Sequence, residues 1–67
     1  MPIIRVDGPK VPDVEKKRVF VKEVTDAASA LFGMPAQNIV VLLKETQPEN
    51  VGVGGELILD RRKREQP

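Results

Sequence analysis

The chain has 67 residues, 40% of them hydrophobic, a formal net charge of +1, and neither cysteine nor histidine. That length fits one domain, 1–67, and the missing residue types exclude disulfides, the common zinc ligand sets, a thiolate nucleophile and an imidazole base. A chain this small removes only about 60% of its unfolded surface from water, and Phe20 and Phe32 are its only aromatics, so association through a shared core is the remaining route to stability.

Pro2–Asp7 predicts the first strand. β-Branched residues dominate, proline is tolerated at a strand's first position, and alternation puts Pro2, Ile4 and Val6 on one face with Ile3, Arg5 and Asp7 on the other. The Met1-Pro2 start carries a second meaning. Initiator methionine is usually removed before a small second residue, which would leave Pro2 as a secondary amine able to carry a proton. Anywhere else proline's nitrogen is a tertiary amide with neither basicity nor a donor.

Gly8–Pro12 predicts a loop, because two prolines in four residues remove backbone donors. Asp13 is suited to cap a helix over Val14–Phe32, with Glu15 favoured by the dipole in its first turn. Phe20, Val24, Ala27 and Leu31 recur at helical spacing, widened by Val21 and Ala28, and Gly33 and Pro35 end the segment. Ile39–Lys44 predicts a second strand whose five consecutive apolar residues suggest burial on both faces. Strand, helix, strand predicts a βαβ unit with adjacent parallel strands. Gln47–Asn50 is a turn, and Gly52–Gly55 predicts a tight turn or bulged hairpin rather than a phosphate loop, since no helix is expected to open on it. Leu57–Leu59 reads as a short apolar patch before a basic, mobile tail over 61–67. The fold class is therefore α/β: a single βαβ unit with a short C-terminal hairpin and a sheet completed by oligomerisation, because two strands alone are not independently stable.

Arg61, Arg62, Lys63 and Arg64 hold four of the eleven basic residues, and without residues 61–67 the body carries −2. The run lacks interleaved aromatics, so nucleic acid is not an expected partner. No apolar stretch is long enough to span a bilayer and no signal-peptide pattern is visible, which gives the cytoplasm as the expected location and no membrane partner. The carboxylates show no paired spacing, and no cofactor or metal is expected. The terminal amine is what remains for chemistry. Enclosed by Val and Leu side chains from neighbouring subunits and placed near a cation such as Lys10, it would lose its proton more readily and serve as a general base near neutral pH.

These pieces together resemble the small 4-oxalocrotonate tautomerases. Pro2-Ile3 opens a strand, Glu23-Val24-Thr25-Asp26-Ala27 lies in the helix, Pro35 follows it, a valine-rich strand ends at Glu45, and Gly52-Val53-Gly54-Gly55-Glu56-Leu57 comes after it. The resemblance implies a βαβ subunit, dimers sharing a four-stranded sheet, and a homohexamer of three dimers. It also implies an isomerase in which Pro2 interconverts enol and keto forms of a small unsaturated 2-hydroxy or 2-oxo carboxylic acid, with cations holding the carboxylate. Three departures stand out. A loop arginine of the family has Lys10 as its nearest replacement, direct alignment giving Pro12; Lys10 offers a point charge without the bidentate fork. A second family arginine corresponds to Val40, and a wall aromatic to Val51, so these two are expected to line the pocket. Arg5, Lys44 or Arg62 of a neighbouring chain are candidates to supply the missing cation. A related proline-dependent dehalogenase or decarboxylase, or a non-enzymatic oligomer using its basic tail, are the alternatives.

Overall fold

The computed structural model describes residues 1–65. Two strands, β1 (Ile3–Pro9) and β2 (Val40–Thr46), run parallel in register, Ile3 opposite Val40 and Pro9 opposite Thr46. The helix α1 (Val14–Phe32) crosses between them. This is the expected βαβ unit, with β1 starting one residue later and ending two residues later than the Pro2–Asp7 its pattern suggested. Pro9 is tolerated at the strand's end because β1 is an edge strand of the isolated subunit, where a missing donor breaks no ladder. The Thr46 hydroxyl donates to the Gly8 carbonyl at 3.3 Å and holds this extension in place.

The boundaries of α1 are set by its ends. Asp13 sits in an extended conformation and its carboxylate accepts the Glu15 N–H at 3.0 Å, which satisfies one of the orphan donors of the first turn. At the other end Gly33 has φ 62° and ψ 36°, and Met34 N–H returns 3.2 Å to the Ser29 carbonyl. A residue with a β-carbon resists that left-handed conformation, so glycine terminates the helix there.

The inward stripe of α1 is rotated from the one its sequence suggested. Lys17, Val21, Val24 and Ala28 turn toward the sheet, with Ala28 buried, whereas Phe20 and Leu31 are 40% and 77% exposed. The helix is apolar over a wide arc, so spacing alone does not locate its centre. Opposite it, Ile4, Val6 and Val41 form the covered side of the sheet; Ile3, Arg5, Asp7 and Leu42 occupy the bare side.

Past β2, a single 3-10 turn (Pro48–Asn50) leads into the antiparallel hairpin of β3 (Gly52–Val53) and β4 (Glu56–Leu57). Its two loop residues, Gly54 and Gly55, have φ of 61° and 85°, the pair of positive values that a primed two-residue turn requires. The hairpin matches its expected form, but the segment beyond it does not. Ile58–Glu65 is a second helix, α2, where the sequence suggested an apolar patch and a charged tail. Its start is fixed by Ile58 N–H donating to the Val51 carbonyl at 2.8 Å. Glu56, just ahead of it, accepts from Arg64 at 3.0 Å and lies 3.8 Å from Arg61. Asp60 in the first turn and Arg62, Lys63 and Arg64 in the last suit the helix dipole. The expected tail is helical over 61–65; residues 66 and 67 lie outside the described part.

No closed core forms within one subunit. Ala28 is the only buried hydrophobic residue among those described, and twelve large hydrophobics are exposed. The radius of gyration is 16.0 Å, against about 11 Å for a compact domain of this length. The accessible surface of 5391 Å² likewise exceeds the roughly 4,200 Å² expected of a folded monomer of this mass. The subunit has the shape of one part of a larger core.

Candidate active site

Pro2 precedes β1 and is half-buried, while Met1 ahead of it is 83% exposed. The Pro2 carbonyl accepts the Val40 N–H at 3.0 Å, which fastens the chain's first residues to the start of β2. The contact is through main chain only. Val40 pairs with Ile3, so its side chain shares the Ile3 face while Pro2 starts the alternation on the other.

Lys10 and Val51 lie elsewhere. Seven extended residues, Ile3–Pro9, separate Lys10 from Pro2, eight steps that span about 25 Å at the usual strand rise. At that far end, Lys10, Val51, Pro48, Ile58, Thr46 and Arg62 line a cavity of about 660 Å³, with Asp7, Gly8 and Pro9 completing its wall. The four residues expected to share a site thus fall into two pairs, Pro2 with Val40 and Lys10 with Val51, at opposite ends of the parallel strands. A second cavity of about 430 Å³ opens between the start of α1 and the sheet, lined by Val6, Val11, Phe20, Leu43 and Lys17 among others. It marks incomplete packing of the two layers and does not reach Pro2.

The loop that carries Lys10 is held by one carboxylate. Glu45, near the end of β2, accepts from Lys17 Nζ at 2.7 Å and from the backbone N–H of Val11. The Glu45 carboxyl is held below its ordinary value of 4.5, first by the Lys17 hydrogen bond and then by the Val11 N–H. Desolvation opposes the shift, and the charges of Lys17 and Lys10 add to it. Lys10 is therefore near enough to feel Glu45, and its position depends on that anchor.

The sequence offered three stand-ins for the missing arginine, and the structure sorts them. Arg5 lies mid-strand on the bare sheet face opposite Leu42. Lys44 borders the smaller cavity. Arg62 shares the larger one with Lys10, a placement that depends on α2 and so was invisible while 61–67 read as a tail. Among the described residues no group of three His, Cys, Asp or Glu side chains could hold a metal ion, and no helix is long and apolar enough to cross a membrane.

Comparison with known proteins starts where the site starts. The tautomerase enzyme family matches residues 2–61. A probable tautomerase of Lactiplantibacillus plantarum is 42% identical over 60 residues, which span 90% of this chain and 94% of that one. The crystal structure of DmpI from Archaeoglobus fulgidus superposes with a TM-score of 0.78 at 49% identity, covering 88% of this chain and all of that one. The heterohexamer 4-oxalocrotonate tautomerase of Chloroflexus aurantiacus J-10-fl shares the fold with a TM-score of 0.78 at 23% identity, over 90% of this chain and 97% of that one. A βαβ subunit with a C-terminal glycine hairpin, opened by Pro2 and matched over nearly its whole length, places this chain in the tautomerase family, among the proteins similar to 4-oxalocrotonate tautomerase.

Proposed function

We propose that the protein is a tautomerase interconverting the enol and keto forms of a small unsaturated 2-hydroxy or 2-oxo carboxylic acid, with Pro2 as general base. The observation that carries this reading is the family match beginning at Pro2, a residue fixed to the start of β2 by its own carbonyl. Removal of Met1, which stands 83% exposed, converts the Pro2 amide into a secondary amine. The amine takes the proton of the substrate's 2-hydroxyl as the C=O bond forms and the enol's carbon–carbon π pair moves away from C2. It then returns that proton to the carbon that receives this pair, at C3 or at the end of the conjugated chain. One O–H bond breaks, one C–H bond forms, and nothing is oxidised or reduced.

Apolar surroundings and nearby cations both make an amine harder to protonate, which keeps it available as a base. Within one subunit Pro2 has neither a closed pocket nor a cation at hand. The Lys10–Val51 end has two cations, Lys10 and Arg62, beside an open cavity. The site is accordingly composite, made where the Pro2 end of one subunit meets the Lys10 end of another. A homohexamer supplies this arrangement. The exposed apolar surface of the subunit supports it.

Pro2→Ala leaves a primary amine of altered position and basicity and is expected to cut enol-to-ketone turnover by about a hundred- to ten-thousand-fold, the usual worth of a positioned general base. A stopped assay with 2-hydroxymuconate and phenylenolpyruvate measures it, after mass spectrometry has confirmed loss of Met1. Unchanged turnover in Pro2→Ala rules the mechanism out.

A further inference from the structure

We propose that Glu45 is a positioning residue for the reaction. Its carboxylate holds the Val11 N–H from the helix side of the sheet and so sets where Lys10 stands in the composite site, without touching the substrate. This rests on the reading of Pro2 as the base and of the site as shared between subunits.

The loop between β1 and α1 has few means of holding itself. The parallel ladder ends at Pro9 opposite Thr46. Pro9 and Pro12 have no N–H to give, and a following proline disfavours the helical conformation at Gly8 and Val11. Lys10 is the one residue of Gly8–Pro12 that is neither a proline nor followed by one, so its backbone is the loop's freest point. Among the described residues, the Val11 N–H bond to Glu45 is the only hydrogen bond tying Lys10–Pro12 to another part of the chain.

Two consecutive residues of β2 close on that point from opposite sides. Before it, the Thr46 hydroxyl donates to the Gly8 carbonyl at 3.3 Å; after it, Glu45 accepts from Val11. Strand alternation sends the two side chains to opposite faces of the sheet. Glu45 meets Lys17 of α1 on the helix face. Val11 and Glu45 line the smaller cavity on that side, whereas Lys10 and Thr46 line the larger one. Glu45 therefore acts on the Lys10 side through the backbone of Val11.

Charge strengthens the tie. An ionised carboxylate accepts a backbone N–H more strongly than a neutral oxygen does. Lys17 Nζ, 2.7 Å from Glu45 Oε1, keeps that carboxylate oriented and charged. Cutting the ion pair and weakening the Val11 bond are thus separable events, and substitutions at the two partners tell them apart.

Glu45→Gln keeps length and an acceptor oxygen while removing the charge. It is expected to raise KM for phenylenolpyruvate about 3- to 10-fold, the range for weakening one charge-assisted hydrogen bond, with kcat changed by less than about twofold. Glu45→Asp, which restores the charge, is expected to recover part of the loss. Lys17→Met cuts the same ion pair but leaves Val11 its acceptor. It is expected to lower the urea midpoint as Glu45→Gln does, yet to raise KM less. Sedimentation confirms that the variants keep their assembly. Amide exchange read by nuclear magnetic resonance is expected to be slower at Val11 than at Lys10 in wild type and to quicken at Val11 in Glu45→Gln. Binding of the unreactive acid crotonate to Pro2→Ala and to Pro2→Ala/Glu45→Gln gives a readout that does not need turnover. Weaker binding to the double variant supports the assignment, whatever Pro2 does. Equal crotonate binding overturns it, as does a Val11 amide that exchanges as fast as Lys10 in wild type. So does an equal rise in KM for Lys17→Met and Glu45→Gln, which would assign the effect to the tie between layers, or a loss confined to kcat.

Discussion

Lys17 Nζ lies 2.7 Å from Glu45 Oε1, joining the second turn of α1 to the end of β2 across the layer boundary. The side chains are 29% and 30% exposed, whereas the helix-surface pairs Arg18–Glu15 and Lys22–Asp26 are all above 60%. Surface pairs of that second kind contribute little. The Lys17–Glu45 pair differs because the same carboxylate also holds the Val11 N–H, so one side chain ties helix, strand and loop together.

Glu45 makes stability depend on pH. Its folded-state pKa lies below 4.5, so the unfolded chain binds the proton more readily. The stabilisation is present above the ordinary carboxylate range and is lost as pH falls through the folded value. Glu45→Gln should lower the urea midpoint near neutral pH, and its gap from wild type should narrow between about pH 6 and about pH 3. Denaturation curves at fixed protein concentration test this, and a gap that stays constant across that range would contradict it.

The bare sheet face needs a partner. Ile3 and Leu42 are 43% and 45% exposed on the side of the sheet away from α1, and a two-stranded sheet with one uncovered apolar face is not stable alone. Leu42→Glu is expected to shift the protein to smaller species in sedimentation velocity. Turnover should fall in parallel by an order of magnitude or more, about as much as losing one partner of a catalytic pair. A fully assembled Leu42→Glu variant would remove this face from the interface.

Ala28 is the one buried residue of α1, at 7% exposure. A larger side chain there pries the layers apart rather than filling the cavity nearer the helix start. Ala28→Leu should destabilise by about 1–3 kcal/mol, the usual cost of overpacking. Chemical denaturation at several protein concentrations measures it, because association contributes to the apparent stability.

The elements with strong local punctuation were legible in the sequence. Asp13 and Gly33 bound α1 at the expected residues, and the adjacent glycines 54 and 55 made the hairpin. Two things were not. The inward face of α1 was misplaced because the helix has apolar residues on sides that a lone subunit leaves open, and periodicity does not distinguish a core from an interface. α2 was missed because a basic run reads as solvated until Glu56, outside the helix, is seen to neutralise Arg61 and Arg64. Pro2, Lys10, Val40 and Val51 were all named, but nothing in a linear pattern says that strand length keeps Pro2 and Lys10 about 25 Å apart.

That separation has a consequence for how such proteins diversify. In the proposed composite assembly each chain gives its amine to one site and its cation to another, so the two duties can be inherited separately. A duplicated copy is free to lose Pro2 yet remain useful as a lender of Lys10, and the reverse holds for a copy that keeps only the proline. Mixing Pro2→Ala with Lys10→Gln subunits should therefore regenerate some fully equipped sites that neither parent possesses.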